Sequence, residues 1–111
     1  MKELLVITSI KKTILYLDTI IINYPNKETI LKNKIETTLY LILEQTYIAN
    51  YNTIKTPYLY KVLVSIKMLD FYLKISLDKK IISYKKYINI CTYLNEIVKM
   101  LYGWLKYEKS K

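Results

Sequence analysis

The chain has 111 residues, of which 52% are hydrophobic, and a formal net charge of +9. One cysteine and no histidine exclude an internal disulfide, zinc sites built on Cys and His, and nucleophile schemes that need a histidine base. One glycine and two prolines supply too few turn residues for a β-rich fold. We therefore expect one all-helical domain over residues 1–111, not an enzyme, with no cofactor, metal ion or small-molecule substrate.

The apolar content exceeds what a thin bundle can bury, so we expect helix faces to be shared with other subunits. A membrane span needs about 18 to 20 residues with few charges, and charged residues interrupt each apolar run: Lys11, Lys12, Asp18, Lys27, Glu36 and Glu44. Residues 1–5 do not resemble a secretory signal. We expect a cytoplasmic protein with no membrane partner.

The first predicted helix spans residues 3–24 and ends before Pro25, because proline disfavours helical geometry in the residue before it. Its apolar residues recur every three or four positions, the spacing of one helical face: Ile7, Ile10, Ile14, Leu17, Ile21 and Tyr24. Leu4, Leu15 and Ile22 lie off this stripe. The first helix is therefore predicted to pack on more than one side.

The second and third helices have recognisable start signals. Asn26 is predicted to cap the second, and Thr56-Pro57 indicates an N-cap followed by proline at the first helical position. The second helix is predicted to end at residues 50–52. The predicted core positions of the two helices are Leu31, Ile35, Leu39, Ile42, Thr46 and Ala49, then Leu59, Val62, Ile66, Leu69 and Leu73.

The fourth predicted helix is capped by Ser83 and reaches about residue 107. Its main apolar stripe consists of Tyr84, Tyr87, Cys91, Leu94, Val98, Leu101 and Leu105. Ile90, Ile97 and Trp104 recur every seven residues as a second seam, which we assign to packing against another subunit. Short connections between four helices of similar length favour an antiparallel, up-down four-helix bundle.

The lysines are the candidate binding residues, because every positive side chain is lysine and a basic surface attracts polyanions. The candidate phosphate contacts are Lys67, Lys74, Lys85, Lys86, Lys99 and Lys106. Without the planar fork of arginine, phosphate contact is a better expectation than base reading. A merely solvated set of helix faces would have a similar pattern, and this alternative stays open.

Other residues carry weaker functional signals. Glu96 has no second carboxylate marked to work with it in acid-base catalysis, and we interpret it as a partner for lysine. Cys91 is expected to be a small buried hydrophobe. Most of the 13 tyrosines fall on or beside the core stripes, which favours packing over base stacking. Gly103 beside Trp104 indicates a packing contact at an interface.

Several segments of the chain are distinctive: Tyr24-Pro25 with Glu28 and Leu31, Ala49-Asn50-Tyr51, Leu69-x-Phe71-x-Leu73-Lys74, Asp78, Ile82-Ser83-x-x-x-Tyr87, and Leu94-Asn95-Glu96-Ile97-x-Lys99-Met100-Leu101-x-Gly103-Trp104-Leu105-Lys106. Together they resemble the four-helix-bundle family that contains Avd, the accessory variability determinant of diversity-generating retroelements. The same family includes intervening-sequence proteins encoded in some bacterial ribosomal RNA genes. Tyr102 and Val98 stand where the family often has glycine.

The resemblance implies a homo-oligomeric barrel of bundles, pentameric in that family, encoded by a bacterium, an archaeon or a phage. It implies binding of RNA or an RNA/DNA hybrid and of a reverse transcriptase, in support of mutagenic reverse transcription. Alternatives remain: an intervening-sequence-type bundle protein, or an oligomeric scaffold whose only partners are proteins.

Overall fold

A computed structural model describes residues 4–111, which form four α-helices and one short 3-10 turn. The helices are α1 (Leu5–Ile21), α2 (Thr29–Tyr51), α3 (Thr56–Asp78) and α4 (Tyr84–Lys109), and the 3-10 turn is Asn26–Glu28. Among these residues there is no strand. The all-helical prediction is confirmed.

Each helix packs against two others: α1 and α3 both contact α2 and α4. Helices of 23 residues, such as α2 and α3, are about 34 Å long, whereas the connections between successive helices are only a few residues. Such short connections can only join neighbouring ends, so successive helices run antiparallel. The result is an up-down four-helix bundle with dimensions of 47 × 25 × 22 Å.

The core follows the predicted stripes of the first three helices closely. All the core positions predicted on α1 and α3 are buried, and on α2 only Leu31 is partly exposed. Buried hydroxyls on α2 and α3 are satisfied within the bundle; Thr46 donates to the carbonyl of Ile42 at 2.7 Å. Apolar residues spaced three and four apart therefore form one continuous core.

The connection between α1 and α2 differs from the prediction at both ends. Helix α1 ends at Ile21, three residues early, yet Tyr24 is buried and its hydroxyl donates to Ser76 Oγ at 2.8 Å. Asn26 opens a 3-10 turn instead of capping α2, which begins at Thr29 without a side-chain cap. Pro25 thus separates the helices as expected, and burial of the Tyr24 ring positions the connection.

Lysines lie at the other two connections, between α2 and α3 and between α3 and α4. Lys55 occupies the N-cap position of α3, one residue before the predicted Thr56, and its ammonium donates to three carbonyls at the end of α2, of Ala49, Asn50 and Asn52. A cation is favourable there because the helix C-terminus has partial negative charge. Lys80 closes α3 with a φ of 61°, and Ile81 N–H donates to the Ser76 carbonyl in a Schellman-type end.

The structure corrects the prediction for α4. Ser83 is the N-cap, as predicted, and accepts from Lys86 N–H at 3.1 Å. Ile90 and Ile97, however, are 0% and 2% exposed in the core of the same bundle, and are therefore not available to another subunit. Predicted core residue Tyr84 is instead 66% exposed. The second seam exists because a bundle helix contacts two neighbours, here α1 and α3.

Candidate nucleic-acid interface

All six lysines proposed from the sequence are exposed on α3 or α4. Lys74 lies 3.2 Å from Asp70 in an exposed pair one helical turn apart. The other five have no described carboxylate within salt-bridge distance. Exposed lysines without partners leave their charge available to an anion, because no nearby carboxylate offsets it.

Helical spacing sorts the α4 lysines into two groups. Lys85, Lys99 and Lys106 differ by multiples of seven residues and share the face opposite the buried residues of α4. Lys86 follows Lys85 by one residue, which is a rotation of about 100° around the helix. The structure therefore brings Lys85, Lys99 and Lys106 onto one face, while Lys86 points elsewhere.

A groove of about 510 Å³ runs between α3 and α4. It is lined by Tyr60, Leu63, Val64, Ile66, Lys67, Asp70, Tyr87, Cys91, Leu94, Asn95, Val98 and Tyr102. Of the proposed phosphate contacts only Lys67 is among these residues. The groove was not predicted from the sequence, because it forms between two helices whose relative rotation is a tertiary property.

A hydrogen-bonded group closes one end of the groove. The hydroxyl of Tyr87 donates to Asp70 Oδ1 at 2.8 Å, and Asp70 Oδ2 pairs with Lys74. Burial of the hydroxyl, together with its hydrogen bond to Asp70, raises the pKa of Tyr87 above its ordinary value. The carboxylate at this end of the groove is therefore held by a neutral donor and a cation.

Aromatic rings and lysines meet at the other end. Lys109 Nζ lies 5.1 Å from the centre of the Tyr60 ring and donates to the Tyr60 hydroxyl. Lys111 Nζ lies 4.9 Å from the Tyr107 ring. These cation–π contacts were not predicted from the sequence, although Tyr107 and Lys111, four residues apart, were a signal that a ring and a charge share one face.

The residues assigned to subunit packing have different environments. Gly103 is exposed, and a Cβ atom added there would have no contact within 4 Å among the described residues, so its predicted close packing does not occur inside the bundle. Trp104 is partly buried against the core. Ile90 and Ile97 lie in the core, so Gly103 is the only exposed residue among the four that were assigned to subunit packing.

Glu96 and Cys91 have different positions relative to the groove. Glu96 is exposed on α4 and does not line the groove, whose carboxylate is Asp70. No group of three His, Cys, Asp or Glu side chains in residues 4–111 could hold a metal ion. Cys91 is half-buried at the groove wall, not fully buried as predicted.

The family model described as bAvd-like matches residues 4–108, which contain the first three helices and all of α4 except its last residue. The chain belongs to the bAvd-like family. Comparison with curated proteins found no match.

The distinctive segment of this bAvd-like chain, residues 94–106, spans the inner and outer faces of α4. Leu94 and Ile97 are in the core, Asn95 lines the groove, and Lys99 and Lys106 are exposed. The segment that carries the resemblance thus combines core packing with the basic face. None of the helices in residues 4–111 is both long and apolar enough to cross a membrane.

Large apolar side chains are exposed on every helix. Examples are Leu15 on α1 at 68%, Ile30 on α2 at 79%, Val64 on α3 at 62% and Ile88 on α4 at 42%. Single exposed apolar residues are ordinary on protein surfaces.

Proposed function

We propose that the chain is a non-catalytic, nucleic-acid-binding accessory protein of a diversity-generating retroelement. In this proposal it binds template RNA and a reverse transcriptase and supports mutagenic reverse transcription without carrying out the chemistry. The observation that carries the proposal is the exposure of all six candidate lysines on α3 and α4 in a chain of the bAvd-like family.

The charge distribution supports contact with phosphate. Lysine presents a compact charge on a flexible stem and suits phosphate oxygens without requiring a fixed geometry. Lys85, Lys99 and Lys106 repeat along one face of α4, and Lys67 and Lys74 are seven residues apart on α3. Rows of lysines along two adjacent helices fit an extended polyanion better than a single anionic ligand.

The exposed apolar side chains support a homo-oligomer as the working form. Leu15 on α1 and Ile22, the C-cap residue just after α1, are seven residues apart and are 68% and 70% exposed. Their burial against other copies would remove this surface from water, which is the main driving force for stable association. A pentameric barrel is part of this proposal, and light scattering of the purified protein tests it by giving the mass of the assembly.

A salt titration of RNA binding tests the nucleic-acid part. Affinity should fall steeply between about 50 and 200 mM salt if several phosphates are neutralised, because each contact releases condensed counterions. Fluorescence anisotropy with a labelled single-stranded RNA measures this dependence. An affinity that barely changes with salt would contradict the proposal.

A second candidate, an oligomeric scaffold whose only partners are proteins, is favoured by the exposed apolar side chains of all four helices. Affinity purification followed by nuclease treatment separates the two candidates. Partners that remain bound after the RNA is destroyed favour the scaffold. Recovery of a reverse transcriptase whose retention is reduced by nuclease favours the RNA-binding accessory protein.

A further inference from the structure

The groove between α3 and α4 has an apolar floor and a polar, basic edge. Leu63, Ile66, Leu94 and Val98 contribute apolar surface, and the edge includes Lys67, Asn95 and the rings of Tyr60 and Tyr102. Tyr60 is 43% exposed and Tyr102 is 55% exposed. Exposed ring surface beside an apolar floor is suited to a flat, partly apolar ligand.

Lysines and rings alternate along both edges of the groove. On α3 the residues 60, 64, 67, 71 and 74 lie along one face, and on α4 the residues 95, 99, 102 and 106 do the same, since these spacings of three and four follow the helical repeat. Lys99 and Lys106 are three and four residues from Tyr102. A polymeric ligand with alternating flat rings and negative charges would therefore match the residues along both edges of the groove.

The charge of the groove is complementary to an anion. Asp70 is the only carboxylate among the lining residues, and Lys74 together with the Tyr87 hydroxyl already binds it. Lys67 lines the groove without such a partner among the described carboxylates. With Asp70 offset by Lys74, the positive charge of Lys67 favours an anion such as phosphate over a cationic ligand.

From these features we propose that the α3–α4 groove binds unpaired nucleotides of single-stranded RNA. Bases stack on Tyr102 over the apolar floor, beside Tyr60, whose ring already contacts Lys109, and Lys67, Lys99 and Lys106 contact the phosphates on either side. Single strands are selected because a paired base is stacked inside its duplex and cannot reach a ring. This inference rests on the proposed nucleic-acid binding and adds the form of RNA that the chain prefers.

Substitution of Tyr102 tests the stacking contact. Tyr102→Ala should weaken binding of single-stranded RNA roughly 5- to 100-fold, the range expected for loss of one stacked base, and should leave binding of duplex RNA nearly unchanged. Tyr102→Phe keeps the ring and should restore the affinity. The matched control is Tyr84→Ala, which removes a tyrosine of the same helix that is 66% exposed, stands beside Lys85 and does not line the groove.

The outcomes separate this inference from the proposed function. If binding depends on salt but Tyr102→Ala reduces it equally for single-stranded and duplex RNA, or does not reduce it at all, the groove assignment is overturned. The proposal that the lysine surface binds RNA is then unaffected. Salt-independent binding of both RNAs overturns the proposed function itself. A change in assembly mass for Tyr102→Ala would mean that a second copy of the chain occupies the groove, and would also overturn the inference.

A protection experiment locates the RNA without relying on affinity. Val64 lines the groove and is 62% exposed, so Val64→Cys in a Cys91→Ser protein supplies one thiol in the groove. Single-stranded RNA should slow its alkylation by a maleimide at least several-fold, and duplex RNA should not. A control thiol from Ile30→Cys, on α2 outside the groove and 79% exposed, should react at the same rate with both RNAs. Equal protection of both thiols, or a Val64→Cys thiol that is unreactive in the free protein, overturns the proposal.

Discussion

The inner and outer faces of α4 have the same seven-residue repeat but different surroundings. Ile90 and Ile97 lie in the core at 0% and 2% exposure, whereas Lys99 and Lys106, at the same spacing, are in solvent. From the sequence we interpreted the first repeat as a subunit contact. The comparison shows that a repeat identifies residues that share a face, and that the neighbour of that face depends on how the helices pack.

The difference also explains how one helix serves two purposes. Its inner face contacts α1 and α3 and contributes to the stability of the bundle, while its outer face is free of core contacts and is available for a partner. Substitutions on the inner face should therefore change folding, and those on the outer face should change binding. The following predictions test this separation.

The largest effect is expected from the inner face. Ile90→Ala should lower the free energy of unfolding by about 2 to 5 kcal/mol, because it removes a fully buried side chain and leaves a cavity. Urea denaturation measures this. Ile88→Ala, two residues away and 42% exposed, should cost about 1 kcal/mol or less. Equal losses for the two variants would contradict the division of α4 into two faces.

A binding effect should follow from the outer face. Replacing Lys85, Lys99 and Lys106 together with Gln should lower the slope of log affinity against log salt by about 2, since each phosphate contact with a single strand contributes about 0.7. Anisotropy titrations at several salt concentrations give the slope. The control replaces Lys12, Lys27 and Lys34, which are exposed on the α1 and α2 side. If both triple variants lose the same slope, binding depends on net charge and not on this face.

A smaller effect should come from Ser83, the N-cap residue of α4. Ser83→Ala removes the hydrogen bond from Lys86 N–H to Ser83 Oγ and should cost about 1 kcal/mol of stability. Ser83→Gly should cost only a few tenths of that, since glycine is tolerated at this position. Thermal unfolding of the two variants measures the difference. A full loss in the glycine variant as well would show that the cap hydrogen bond is not the cause.

The smallest effect depends on pH and distinguishes a buried tyrosine, Tyr24, from an exposed one, Tyr84. Tyr24→Phe removes the buried hydrogen bond to Ser76 and should cost about 0.5 to 1.5 kcal/mol. Burial also raises the pKa of the Tyr24 hydroxyl above its ordinary value near 10. Above about pH 10 the unfolded chain ionises this group before the folded chain does, so the stability that it contributes is lost as the pH rises toward the folded-state pKa.

Urea unfolding at pH 8 and pH 11 measures this difference. The parent protein should lose more stability than Tyr24→Phe between the two values, so that the two proteins become closer at pH 11. Tyr84→Phe changes an exposed tyrosine and should unfold like the parent at both values. A constant difference between Tyr24→Phe and the parent would contradict the role of burial.

Much of the fold could be predicted because apolar periodicity is a local property. The stripes of α1 and α3 were predicted without error, and Ser83 was identified as a cap from its position before a helical pattern. Errors occur where a tertiary contact competes with local rules. Tyr24 is buried beyond the end of its helix because Ser76 on α3 accepts its hydrogen bond, and no local signal near residue 24 indicates that partner.

The candidate interface was predicted less completely. The six candidate lysines are exposed, as their spacing relative to the apolar stripes favours, and their contact with phosphate stays a prediction. The groove, the Tyr87–Asp70–Lys74 group and the contact of Lys109 with Tyr60 were missed. The hydrogen bonds of Tyr87 with Asp70 and of Lys109 with Tyr60 join α4 to α3 across 17 and 49 residues of sequence, and helical spacing gives no information about such pairs.

The sequence by itself determined that this chain is helical, where three of its four helices bury their apolar faces, and which lysines remain in solvent. The physical reason is that 3.6 residues per turn place residues three and four apart on one face whatever the surroundings. Only the tertiary structure decided that Ile90 and Ile97 belong to the core and that α3 and α4 enclose a groove, because the rotation of each helix about its axis is fixed by packing against two neighbours at once.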